Sequence, residues 1–186
     1  LFNAARWEDV EFFDSVIDTS SKNSTSSQRA ALNSVQSCLA SLGDIERYKE
    51  LHCSANPIKR DWSAAKDFYT KSKDLNPFGS HTGKVLNQLA VLSQYSKDWF
   101  LACYFYLNSL AVTNAFLSAR ENLASLFQHI HTMSQKLLKD NPSNVKLKSR
   151  TYLRYQSNIY ISNCVGMLFT RIGLDNVFKI EEKMLI

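Results

Sequence analysis

A small, a large and a small side chain, Ala65, Tyr69 and Ser72, recur 37 residues later as Ala102, Tyr106 and Ser109, and Leu42-Gly43 recurs as Leu89-Ala90 after 47. At these spacings each small-large-small set shares one face of a helix. Small residues let two helix backbones approach, and an aromatic ring fills the groove beside them. The chain must therefore fold into paired helices that stack on one another. With five glycines and three prolines in 186 residues, the sequence has few places to turn, as an all-helical protein requires.

Apolar spacing predicts about eight helices. The first covers "LFNAARWEDVEFFDSVID", and the next segment, within residues 19–27, has nothing to bury and reads as a flexible surface loop. A long helix follows over "SQRAALNSVQSCLASLGDIERYKEL". "CSANPIKRD" breaks it, and Asp61 is placed to cap "WSAAKDFYTKSKDLNP". "KVLNQLAVLSQY", "WFLACYFYLNSLAV" and "FLSARENLASLFQHIHTMSQKLL" come next; "NPSN" stops the last of these, and "RTYLRYQSNIYISNCVGMLFTRI" and "LDNVFKIEEKMLI" complete the set. The small-large-small pattern is that of tetratricopeptide hairpins, whose unit is roughly 34 residues, so surpluses of roughly 3 and 13 must be inserted. The expected places are "GSHTGK", with glycines supplying positive φ, and "LHCSANPIKR". In this register Arg47 and Asn87 occupy similar places on successive first helices, facing a concave wall. Residues 1–186 are expected to form a single domain, and the pattern running out at "EEKMLI" is expected of a piece of a longer protein.

Several chemistries are poorly supported. The four cysteines have at least fourteen residues between any two, which fits neither a zinc site nor a disulfide framework and suits a reducing compartment. "GSHTGKV" has three residues between its glycines, not four, and Val85 where a phosphate loop needs Ser or Thr. His129 and His131 diverge on a helix and cannot share a metal. No metal, no cofactor and no catalytic residue is expected, and the segment reads as a non-enzyme. Most of Trp99, Phe100, Tyr104, Phe105 and Tyr106 should be core, because a helix apolar all round is buried. The net charge of +5 is uneven: residues 1–18 hold five acids and one base, residues 136–154 six bases and one acid. Lys136, Lys139, Lys146, Lys148, Arg150 and Arg154 form either a solvated face or a track for an anionic partner such as RNA.

The arginine beside a tyrosine in "SLGDIERYKEL" is open to two readings. Arg47 offers a planar fork matched to phosphate oxygens and Tyr48 a hydroxyl donor, so the pair could clamp a phosphoserine. Alternatively it lies on an ordinary charged face, with Arg47 paired to Glu50 one turn on.

"LGDIERYK" resembles the Gly-Asp-x-x-Arg-Tyr signature of 14-3-3 proteins. "AKDFYTKSKDLNP", "VLNQLAVLS" and "ACYFYLNSLAVTNAFLSARENLASLF" are similar to the 14-3-3-like, tetratricopeptide-containing domain of the SMG nonsense-mediated mRNA decay factors five, six and seven. That group is related to the ever-shorter-telomeres subunit of telomerase. The likeness runs from about Ser37 to Phe127 and resumes at "GMLFTRIGLDNVFKIEEKML". It implies an all-α, 14-3-3-like antiparallel array. It also implies that Arg47 and Tyr48 contact phosphate and that Asn87 and Asn122 hold a peptide backbone. A further basic residue of the clamp is implied upstream, where the first helix offers Arg6 among acids.

By the same resemblance the chain is a phosphoserine/phosphothreonine-dependent adaptor in nonsense-mediated mRNA decay. It would bind the phosphorylated RNA helicase of that pathway and recruit mRNA decay or dephosphorylation factors. Its partner would be a related 14-3-3-like decay factor in a heterodimer, and its location cytoplasmic, with nuclear shuttling left open. Two other readings stay in play: a heterodimerisation domain with a vestigial pocket, and a telomerase- or RNA-associated module using the basic stretch.

Overall fold

The computed structural model describes residues 26–54, 56, 60–139 and 150–172, with six helices among them: α1 (Ser26–Cys53), α2 (Ser63–Leu75), α3 (Thr82–Tyr95), α4 (Trp99–Ala111), α5 (Ala119–Lys139) and α6 (Arg150–Thr170). Every regular element among the described residues is helical, as expected of an all-α array of hairpins. The expected first helix with Arg6, positions 19–25, "NPSN", Lys146, Lys148 and the final helix lie outside the described residues. Ser26 and Ser27, expected in the loop over 19–27, belong to α1.

Contacts group the chain into two compact units, Leu1–Val85 with Val112–Asn114, and Leu86–Ala111 with Ala115–Ile186. In the first unit α1 packs on α2 at the small-large positions. Gly43 sits in mid-helix, where glycine costs about 1 kcal/mol relative to alanine. The tyrosine opposite it explains the choice: a Cβ at Gly43 would lie 2.6 Å from Cδ1 of Tyr69. Leu32, Leu39 and Leu75 extend this contact into a small apolar core.

A buried amide holds the start of α3 in the same unit. Gln36 Nε2 donates to the Ser72 and Asn76 carbonyls and to the Thr82 hydroxyl, at 3.2, 2.9 and 3.0 Å, while its Oε1 accepts from the His81 N–H. This overturns one expectation for "GSHTGK". Thr82, Gly83 and Lys84 are already helix, and among the described non-glycine residues left-handed φ falls on Lys97 and Arg171, at 58° each. Gly79 is needed for space, since a Cβ there would run into Gln36 Oε1, which the amide's other hydrogen bonds hold in place.

The breaks between helices have local causes. Arg60 donates to the Leu51 carbonyl, one of the acceptors left over at the end of α1. Because α1 continues to Cys53, part of the expected "LHCSANPIKR" insertion is extra helix and not loop. Asp61 Oδ1 accepts from the Ser63 N–H at 2.9 Å, although the cap position itself belongs to Trp62. That bond holds the exposed Asp61 carboxyl below its ordinary pKa. At the end of α3, Lys97 N–H bonds the Gln94 carbonyl and Asp98 N–H the Ser93 carbonyl, a Schellman turn with lysine in the left-handed position. Asp98 then caps α4 by accepting from Leu101 N–H.

The second unit encloses the larger core. Ala90, Ala102, Tyr106, Leu126, Ile130 and Ile159 are among its fully buried members, drawn from α3, α4, α5 and α6. Asn158 of α6 ties the start of α4, accepting from Phe100 N–H and donating to Asp98. On α4 the all-round burial expected from its apolar sequence does not hold. Trp99 and Tyr106 are core and Phe105 is half-buried, but Phe100 and Tyr104 are 48% and 54% exposed. The neighbours of α4 cover the stripe of Trp99, Ala102, Cys103 and Tyr106, and residues 100 and 104 lie one turn apart outside it.

Candidate functional site

All six repeat positions are buried, and both repeat tyrosines carry a hydroxyl that must be satisfied inside the protein. Tyr69 satisfies its hydroxyl with charged groups. It donates to Asp44 Oδ1 at 2.6 Å and accepts from Arg47 Nε at 3.3 Å. Arg47 Nη2 lies 3.4 Å from the same Asp44 oxygen, and Lys84 Nζ lies 3.6 Å from the other. Two cations thus share one carboxylate, and each ion pair is long and single-pronged. A guanidinium has five N–H donors, so these contacts do not exhaust Arg47.

Arg47 is 6% exposed, with its guanidinium carbon 4.2 Å from the Tyr48 ring centroid. Burial works against the charge, but hydrogen bonds to Tyr69 and Tyr48 outweigh it and raise the pKa above the ordinary arginine range. Arg47 is therefore a fixed cation. Burial, then donation to Asp44, raises the pKa of Tyr69, which stays a neutral hydroxyl. Tyr48 is 50% exposed and its ring stacks on His52. In place of the alternative Arg47–Glu50 pairing, Arg47 pairs with Asp44, while Glu50 accepts from the Asp61 N–H at the break between α1 and α2.

In the second unit, Asn87 and Asn122 are brought together: Asn122 Nδ2 donates to Asn87 Oδ1 at 2.9 Å. That bond uses the donor of one amide and the acceptor of the other. Asn87 Nδ2 and Asn122 Oδ1 are the pair's complementary donor and acceptor, which is the pattern of a main-chain amide. Asn87 is 5% exposed and Asn122 half-buried.

The structural counterpart of Arg47 is not Asn87. Moving 47 residues on from Arg47-Tyr48 reaches Gln94-Tyr95, and Gln94 Nε2 donates to the Tyr106 hydroxyl just as Arg47 Nε donates to that of Tyr69. Each hairpin thus has a side chain of its first helix bonded to the buried tyrosine of its second. Reading the repeat in register with Leu42-Gly43 would have found Gln94. Sequence reasoning also missed Lys84, read as part of a loop, and gave Asp44 no role. The signal for Asp44 was its place one turn before Arg47.

His129 packs against Trp99 while His131 Nδ1 lies 3.3 Å from Asn163 Oδ1. Among the described residues no group of three or more metal-binding side chains is assembled, and no helix is long and apolar enough to cross a membrane. Lys136, Lys139, Arg150 and Arg154 are exposed on α5 and α6.

A family model described as the Est1 DNA/RNA binding domain matches residues 65–186. The chain belongs to this Est1 family. It is 33% identical over 178 residues to nonsense-mediated mRNA decay factor SMG7 of Arabidopsis thaliana, covering 81% of this chain and 16% of that protein. It is 40% identical over 99 residues to telomerase-binding protein EST1A of Danio rerio, covering 53% of this chain and 6% of the relative. With SMG7 of Danio rerio it shares 26% identity over 136 residues, covering 73% and 10%. The chain spans 16% or less of the length of these Est1-family relatives. The Arg47 cluster lies upstream of the matched segment, apart from Tyr69 and Lys84, which fall inside it.

Proposed function

We propose that this Est1-family chain is a non-enzymatic adaptor module that binds a phosphorylated serine or threonine in a protein partner. The observation that carries the reading is the Arg47 cluster, a buried and permanently charged guanidinium that shares a single carboxylate with Lys84 and Tyr69. A phosphoryl group brings a charge of about −1.5 to −2 and three acceptor oxygens, a better match for two cations than one carboxylate is. Asp44 holds the cations in place until the phosphate arrives. In this reading Arg47 and Tyr48 hold phosphate, and Asn87 and Asn122 hold peptide main chain.

The relatives named for nonsense-mediated decay and for telomerase binding support a place in mRNA decay or telomere maintenance. The partner we favour is the phosphorylated RNA helicase of the decay pathway, with mRNA decay or dephosphorylation factors recruited in turn. A related 14-3-3-like domain would serve as heterodimer partner, in the cytoplasm with shuttling to the nucleus. The test is fluorescence anisotropy with a phosphorylated peptide of that helicase. Wild type should bind it in preference to the unphosphorylated peptide, and Arg47→Glu should lose the preference. Equal affinity in both proteins would remove the phosphate role, and heterodimerisation that survives Arg47→Glu would then favour the purely structural reading.

A second reading has specific support of its own. The matched family is described as DNA/RNA binding, and Lys136, Lys139, Arg150 and Arg154 are exposed cations. Neutralising phosphates with such residues makes affinity fall steeply with salt. Single-stranded RNA that fails to bind at low salt would exclude it.

A further inference from the structure

We infer that Lys84 is the second cation of the Arg47 site. The inference rests on the phosphate reading and identifies the residue that completes it. Lys84 Nζ and Arg47 Nη2 approach opposite oxygens of Asp44, at 3.6 and 3.4 Å, so the carboxylate marks a point that both cations reach at once. An anion with more oxygens and more charge than Asp44 would be met from both sides.

The placement of Lys84 is built into the fold. It is carried on the first turn of α3, and that turn and the residues leading into it are tied to α1 by Gln36, whose amide bonds Thr82 and His81, and by Asn33, which accepts from Ser80 N–H. The Lys84 side chain is 43% exposed while that of Arg47 is buried, so one cation is fixed and the other can swing to meet a ligand. Its pairing with Asp44 adds little to stability, as is usual for a half-exposed ion pair, and can be exchanged readily. Lys49, the cation next to the Arg-Tyr pair in sequence, is engaged elsewhere, 3.2 Å from Glu46.

The experiment titrates a labelled phosphoserine peptide and its unphosphorylated twin into wild type, Lys84→Gln, Lys84→Arg and Arg47→Gln. Loss of one charge-assisted contact should weaken phosphopeptide binding by Lys84→Gln about tenfold, leave the unphosphorylated peptide unchanged and leave thermal stability near wild type. Lys84→Arg should restore most of the affinity. If Lys84→Gln binds like wild type while Arg47→Gln loses binding, Lys84 is not a ligand and the phosphate reading stands without it. Equal weakening for both peptides would also overturn the role of Lys84. Wild type that does not distinguish the two peptides would overturn both readings.

Discussion

The two hairpins built on Tyr69 and Tyr106 use one packing scheme for different ends. In each, a buried tyrosine of the second helix takes a hydrogen bond from the first, and an alanine and a serine on the tyrosine's face are buried with it. In the first hairpin the partner is a cation, with a carboxylate one turn earlier and a lysine nearby. In the second it is the neutral Gln94, and Val91 stands where the first has Asp44. The repeat tyrosine therefore marks a structural joint. In the proposed reading, binding chemistry arises where the joint is supplied with charge.

The largest expected effect breaks the joint itself. Gly43→Val places a Cβ 2.6 Å from the fully buried Tyr69 ring and should cost about 3 kcal/mol. The matching site in the second hairpin already holds a Cβ, so Ala90→Gly should cost about 1 kcal/mol, mostly through helix propensity. Chemical denaturation of the two variants compares them directly. Similar losses would show that the hairpins are not packed alike at this position.

Alkaline pH next probes the buried titratable groups of the second hairpin, with Tyr69 of the first titrating alongside them. Burial pushes the Cys103 thiol and the Tyr106 hydroxyl each up to about 12, from ordinary values of 9.0 and 10.0. A raised pKa favours the protonated form in the folded state. Each group's contribution is thus complete below its ordinary value and is lost as pH rises through about 12, on the order of 3 kcal/mol per group. Stability measured across that window should decline, and Cys103→Ala with Tyr106→Phe should flatten the decline. An unchanged slope in the double variant would assign it to other groups.

The smallest effect weighs the two hydroxyls against each other. Tyr69→Phe leaves Asp44 and Arg47 each short of a buried partner, and should cost about 2 kcal/mol. Tyr106→Phe strands a neutral amide, for about 1 kcal/mol. The reverse order would mean that the charged cluster is solvated well enough to need no hydroxyl.

The helices were readable in the sequence because Gly43, Ala65, Tyr69, Ala102 and Tyr106 carry their periodicity locally. Arg47-Tyr48 and Asn87 with Asn122 were also legible as residues of interest, and the structure joins the two asparagines by a hydrogen bond. What surrounds Arg47 was not legible. Asp44 and Lys84 lie 40 positions apart and meet because Gln36 pins the start of α3, a contact that no periodicity signals. "GSHTGK" misled for the same reason: Gly79 is small because Gln36 fills the space beside it, whereas the left-handed turn went to Lys97. The exposure of Phe100 and Tyr104 depends on which neighbours α4 receives, which its own uniformly apolar sequence does not state.

The central claim is that charge makes the first hairpin an anion site and leaves the second a joint. It is tested most directly by side-chain NMR of this chain, following the Arg47 Nε–H and the Gln94 amide as phosphoserine peptide is added. The account predicts that the Arg47 signal shifts saturably with the phosphorylated peptide and not with its unphosphorylated twin, while the Gln94 signal stays in place. An Arg47 signal unmoved at saturating phosphopeptide, or one that moves equally with both peptides, would contradict it.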